Sequence, residues 1–137
     1  MTLNVKVIAP TKTIWDDTAE EVILPSTTGQ LGILSGHAPL LTALGTGVMR
    51  VRVDKEWVPI ALNDGFAEVE DGEVTILVSD GEKGDTIDLE EARKVYQSAK
   101  TDFDQLSSTT DRQDKIKTEQ AYKRARARLQ AAGGSVD

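Results

Sequence analysis

Chemistry in a chain of 137 residues would have to start from a few reactive side chains, and here they are sparse. His37 is the single histidine, cysteine is absent, and Ser35 is the nearest candidate nucleophile. A serine needs a base to take its proton, and that base needs a third group to orient it. His37 stands between Gly36 and Ala38-Pro39, and no second histidine or lysine is placed by a known nucleophilic motif. A lone imidazole beside glycine and proline reads as a hydrogen-bonded structural or interface residue. A Walker-type glycine loop, a histidine pair and a Gly-x-Ser-x-Gly turn are all missing from the sequence. Asp64, Glu68, Glu70, Asp71 and Glu73 lack the spacing of a Ca²⁺ loop and read as a solvated acidic face. The sequence thus predicts no catalytic residue, no metal site and no enzyme acting alone.

Cations are the other chemically informative group. Arg112, Lys115, Lys117, Lys123, Arg124, Arg126 and Arg128 face only two anions in the same span, Asp114 and Glu119. At 100° per residue, Lys117, Arg124 and Arg128 fall on one flank of a thin apolar stripe and Lys115, Lys123 and Arg126 on the other. Such a helix can bind nucleic acid, an anionic membrane or an acidic protein. The stripe is mostly alanine, which is poor for a membrane, and a formal net charge of -7 repels polyanions. An acidic protein surface is the favoured partner, with a solvated face the competing reading.

The elements that position these residues divide the chain in two. Residues 1 to 87 carry 14 acids against 6 bases, and residues 88 to 137 carry 9 against 10. In the first part Leu3-Val5-Val7, Val22-Leu24, Met49-Val51-Val53 and Val74-Ile76-Val78 alternate with other residues, which predicts half-buried strands. Frequent turn signals, of which Asp71-Gly72 is the cleanest hairpin, make this a flattened β sandwich or barrel over residues 1 to 86. Phe66 is expected in its core. Pro59 places the run Trp57-Val-Pro-Ile-Ala-Leu62 on an edge, because proline cannot donate to a ladder. Trp15 and Trp57 are left open between packing and interface.

Residues 87 to 137 read as an antiparallel two-helix hairpin. Asp88 with Glu91 three residues on is a helix start, and Leu89, Ala92, Tyr96, Ala99, Phe103 and Leu106 recur at helical spacing. Ser107-Ser-Thr-Thr110 breaks the helix. Asp111 starts a second one that runs to Ala131 and ends at Gly133-Gly134, with Ala121, Tyr122, Ala125, Leu129 and Ala132 on its apolar side. No apolar run approaches the ~20 residues that span a bilayer, and the first residues lack a signal-peptide core, so a soluble chain is expected.

The most characteristic stretch is Gly29-Gln30-Leu31-Gly32-Ile33-Leu34 followed by Gly36-His37-Ala38-Pro39-Leu40-Leu41-Thr42. Its glycines and Pro39 predict short buried strands around a sharply folded corner. This long, gapless motif resembles the signature of the epsilon subunit of F-type ATP synthases, and the resemblance extends over essentially the whole chain. The opening run Leu3 to Trp15 is similar to the cyanobacterial and chloroplast branch.

The resemblance implies a non-catalytic rotor subunit. Its sandwich would contact the gamma subunit and the ring of c subunits, with Gln30, Leu31, Gly32, His37 and Pro39 at the rotor and ring contact. Its hairpin would either fold against the sandwich or extend, so that the basic second helix meets an acidic segment of the beta subunit and brakes ATP hydrolysis. It implies a place on the cytoplasmic or stromal side of a thylakoid or cytoplasmic membrane, held there only through the complex, and no nucleic acid. Gln30 puts a neutral amide where many bacterial members carry glutamate. Members that bind ATP on the hairpin carry Ile-Asp-x-x-Arg-Ala; here Ile87, Asp88 and Ala92 match, but Glu91 replaces the arginine, and a carboxylate repels phosphate. No cofactor is expected. The alternative from another class is a free-standing adaptor, whose sandwich binds a peptide edge and whose basic hairpin docks an acidic protein.

Overall fold

Alternation decides which side of each strand is buried. In β1 (Leu3–Ala9), Leu3, Val5, Val7 and Ala9 are buried while Asn4 and Lys6 are exposed. The computed structural model describes residues 2–136. Nine further strands follow: β2 (Lys12–Ala19), β3 (Glu21–Ser26), β4 (Gly29–Leu34), β5 (Leu40–Leu44), β6 (Gly47–Val53), β7 (Glu56–Leu62), β8 (Gly65–Glu70), β9 (Glu73–Val78) and β10 (Gly81–Lys83). They form one sheet in the order β10-β7-β6-β3-β5-β8-β9-β1-β2, with β4 paired to β3 off this path. Among the described residues only the β1–β9 pair is parallel. The sheet folds over on itself, bringing β2 near β6 and β10. One apolar core lies inside this flattened near-barrel, as expected, with Leu3, Leu24, Ile33, Met49, Ile60, Leu62 and Ile76 fully buried.

Two tight hairpins set the register. Asp71 (φ 50) and Gly72 (φ 78) turn β8 into β9 so that Glu70 faces Glu73, the hairpin expected from the sequence. Asp54 (φ 52) and Lys55 (φ 69) do the same between β6 and β7. At the start of β8 the strands approach so closely that a Cβ on Gly65 would lie 2.0 Å from the Leu77 carbonyl oxygen and 2.8 Å from the Val78 Cα. Backbone cannot yield cheaply there. Gly65→Ala is expected to cost about 3 kcal/mol, the upper part of the usual overpacking range; an unshifted urea midpoint would refute it.

Phe66 is not in the core. It is 59 % exposed, on the outer face with Glu68 and Glu70, while Ala67 and Val69 point inward. Strand parity overrode the expectation: residues at even spacing share a face, and two glutamates mark that face as outer. The edge reading of β7 also needs correction. β10 pairs with β7 at Ile60, Ala61 and Leu62, so only the part of β7 from Pro59 back toward its start is open, and Pro59 stands just beyond the last paired residue. Trp15 packs against the core with Lys83 over its ring, whereas Trp57 is 42 % exposed beneath the Arg52 guanidinium.

The chain leaves the sheet through a 3-10 turn (Gly84–Thr86) into α1 (Leu89–Asp104) and α2 (Arg112–Ala131). Asp88 caps α1, its Oδ1 accepting from the Glu91 N–H at 3.0 Å. Asp111 precedes α2 without a side-chain capping bond. α2 ends in a Schellman turn: Gly133 has φ 94, and the N–H groups of Gly133 and Gly134 donate to the carbonyls of Gln130 and Leu129. Tyr122 stacks on Phe103 (4.5 Å) and Tyr96 (5.8 Å), and Leu89 approaches Leu129 and Gly134, so the helices run antiparallel.

α2 is buried on two sides, which accounts for the misjudged part of its apolar stripe. It lies on β6 and β7 and carries α1 on its other side. A second core, distinct from that of the near-barrel, gathers Val48 and Ala61 from the sheet with Ile87, Ala92, Tyr96, Ala99, Ala125, Ala127, Leu129 and Ala131. Ala127 and Ala131 are therefore buried although they lie off the expected stripe, and Ala121, expected on it, is exposed.

Candidate functional site

The corner comes first. β4 is bonded to β3 through a full ladder, Gln30 opposite Pro25, Leu31 opposite Leu24 and Gly32 opposite Ile23, and no other strand covers it. Gln30 and Gly32 are exposed and Leu31 is half-buried against the core. Gly36 takes φ 88, a left-handed conformation that a side chain would strain. His37 donates its N–H to the Leu34 carbonyl at 3.1 Å, and its Nδ1 lies 2.6 Å from the Ala38 carbonyl oxygen. The first of these bonds is made by the main chain and closes the turn; the imidazole itself meets only the neighbouring carbonyl among the described residues. Exposed Pro39 leads into β5.

An apolar row that sequence reasoning missed continues from this corner across the outer face. Phe66 faces Ala43 on one side and Leu77 on the other, and Leu77 faces Ile8. Leu41 lies opposite Glu68, diagonal to Phe66, and is 71 % exposed; Leu77 is 53 % exposed. A contiguous exposed patch of large apolar side chains on a small acidic chain marks an interaction surface.

The cations of α2 part company around the helix. Arg128 meets β10: its Nε donates to Glu82 Oε2 at 2.6 Å and its Nη2 to Oε1 at 3.4 Å. Arg124 lies on the same side, beside Asn63 and Asp80. Lys123 and Arg126 face Arg50 across a cleft on the other side of the helix. Lys117, two turns nearer the loop, lines a groove between α1 and α2 with Lys94 and Ser98. Arg112 is exposed and Lys115 half-buried. Among the described residues, Arg128 alone of the seven forms an ion pair.

The three residues that match the hairpin ATP motif have local structural roles, and the fourth position, Glu91, does not match it. Ile87 and Ala92 are buried in the second core, Asp88 is spent as the cap, and the Glu91 side chain is exposed. Arg93, two residues on, pairs with Glu90 at 2.5 Å. Among the described residues no cluster of acids or histidine is arranged to hold a metal, and no helix is long and apolar enough to cross a membrane.

Comparison with known proteins likewise returns a β domain followed by a helical one. The family model for the beta-sandwich domain of the ATP synthase delta/epsilon chain matches residues 2–84, and that for its long alpha-helix domain matches residues 85–133. The chain belongs to the ATP synthase delta/epsilon chain family. It is 66% identical to the ATP synthase epsilon chain of Cyanothece sp. over 137 residues, covering 100% of this chain and 99% of that one. The epsilon chain of Trichormus variabilis is 67% identical over 138 residues, with 99% and 100% covered. Two solved assemblies share the fold: the Euglena gracilis mitochondrial ATP synthase (TM-score 0.77, 22% identity, 96% of this chain and 81% of that one) and the central stalk and c ring of the Tetrahymena thermophila enzyme (TM-score 0.60, 17% identity, 96% of each). This epsilon-type chain is a non-catalytic chain of the ATP synthase.

Proposed function

We propose that the chain couples the rotor to the c ring through its β module, residues 1–86, and restrains ATP hydrolysis through its hairpin, residues 87–137. The exposed row Leu41-Phe66-Leu77 carries this reading, because an unpartnered apolar face on a rotor subunit needs a permanent partner to cover it. That partner is the gamma subunit. The adjoining corner, with Gln30, Leu31, Gly32, His37 and Pro39, faces gamma and the c ring. Gln30 contributes a hydrogen-bonding amide in place of a charge.

The basic helix is the brake. Arg112, Lys115, Lys117, Lys123, Arg124 and Arg126 have no ion pair among the described residues, which leaves them available to an acidic segment of the beta subunit once the hairpin extends. In the docked arrangement Arg128 is held by Glu82. The subunit sits peripherally on the cytoplasmic or stromal side of a thylakoid or cytoplasmic membrane, attached only through the complex.

Phe66→Asp tests the apolar row, since it puts a charge into the face without disturbing the core beneath. Capture of the gamma subunit by the full chain is expected to weaken about 30-fold or more, the loss of one buried aromatic anchor. Wild-type capture by Phe66→Asp and by Leu41→Asp would move the gamma contact elsewhere, and failure of the unaltered chain to capture gamma would favour the free-standing adaptor.

A further inference from the structure

Where α2 crosses the sheet it leaves a cleft of about 620 Å³, within the size range of small-molecule sites. Its floor is the outer face of β3, β4 and β6, where Gln30 stands opposite Pro25 and Arg50 lies two residues from Val48, which α2 covers. Its wall is α2, which contributes Lys123 and Arg126, together with the stacked rings of Phe103 and Tyr122. Three cations from two parts of the chain therefore line one concavity. Glu119 is the single acid on the lining.

We propose that this cleft binds a compact, multiply charged oxyanion, either pyrophosphate or the phosphate end of a small organic phosphate. The chain as a whole carries a formal charge of -7, yet this concavity is positive. Arg50, Lys123 and Arg126 each lack an ion pair among the described residues, although acids are plentiful and Arg52, two residues from Arg50, is held by Glu20 and Glu21 at 3.1 Å each. Like charges gathered in a cleft repel one another, and Arg50, half-buried on the floor, has lost part of its hydration, whereas Lys123 and Arg126 on the wall are exposed. An anion relieves both costs. Planar guanidinium groups suit phosphate oxygens, and the Gln30 and Gln130 amides at the rim can donate to those left over.

The site is separate from the degenerate ATP motif. None of Ile87, Asp88, Glu91 or Ala92 lines it, and α1 reaches it only at its far end, through Phe103. It also exists only while the hairpin is docked, because Arg50 belongs to the sheet and Lys123 and Arg126 to α2.

Calorimetric titration of the full chain with sodium pyrophosphate, repeated at two salt concentrations, tests the assignment. One saturable site is expected, weakening with salt. Arg50→Gln and Arg126→Gln should each weaken it about tenfold, the usual loss on removing a hydrogen bond to a charged group. Arg124→Gln, which makes the same charge change on the same helix outside the cleft, should leave it unaltered. A pentose phosphate binding as tightly as pyrophosphate identifies the organic source, and binding of pyrophosphate alone identifies the inorganic one. No saturation by ~10 mM, beyond which affinity falls below about -2.7 kcal/mol, overturns the proposal. So does equal weakening by all three substitutions, with circular dichroism unchanged, because that would reflect diffuse charge.

Discussion

Removing residues 88–137 is expected to leave a folded, assembling β module and to raise ATP hydrolysis by the complex that contains it. The two apolar cores are separate: the near-barrel closes over its own set, and of the sheet's buried apolar residues only Val48 and Ala61 belong to the second core. Truncation exposes those two side chains and that of Ile87, and disturbs none of the fully buried ones within. Burying a valine is worth about 1.5 kcal/mol by area, well below the 5–15 kcal/mol that typically stabilises a domain. The outer row at Phe66 is formed by β5, β8 and β9 and is untouched. The size of the gain reads the occupancy of the brake. If the hairpin restrains the rotor half of the time, hydrolysis rises about twofold, and if nine-tenths of the time, about tenfold. Unchanged hydrolysis by a complex shown to contain the truncated chain would remove the hairpin from the inhibitory role.

Parts of this arrangement were legible in the sequence because they rest on local rules. Val5-Val7, Val22-Leu24 and Val74-Ile76 gave buried faces by period two, Asp88 gave a cap, and Gly133-Gly134 gave a helix end. β2 has little alternation and β10 only three residues, so neither carried a signal. Phe66 lies outside despite its hydrophobicity because strand parity puts it on the face of Glu68 and Glu70. The corner was found as a motif, yet the row beyond it was not, because Leu41, Phe66 and Leu77 are brought together only by strand order. Arg128 reads as one more cation until β10 places Glu82, 46 residues away, against it. Alanines on α2 say nothing of which of two surfaces each one meets.

Gly84→Val is expected to act on the same hairpin with the opposite sign. Gly84 is buried where the 3-10 turn, β7 and the last turn of α2 converge. A Cβ there would stand 2.0 Å from the Ala131 carbonyl oxygen, 2.8 Å from its carbon and 3.0 Å from Pro59 Cγ. Two of these atoms are backbone and the third belongs to a rigid ring, so α2 must lift. The cost falls on the docked arrangement alone, because an extended hairpin takes Ala131 away from the turn. Overpacking of this kind costs about 2 kcal/mol, which shifts the ratio of docked to released hairpin about 30-fold. Breaking the Arg128–Glu82 pair with Glu82→Gln acts the same way but more weakly: both side chains keep a quarter to a third of their exposure, and such pairs are worth about 1 kcal/mol or less. Amide exchange along α2 should therefore quicken in the order wild type, Glu82→Gln, Gly84→Val, with the strands of the near-barrel unaffected. In the complex, a hairpin freed but still present engages the beta subunit more often, so Gly84→Val should lower ATP hydrolysis where truncation raises it. A rise with both variants would mean that the docked hairpin, rather than the extended one, is what restrains the rotor.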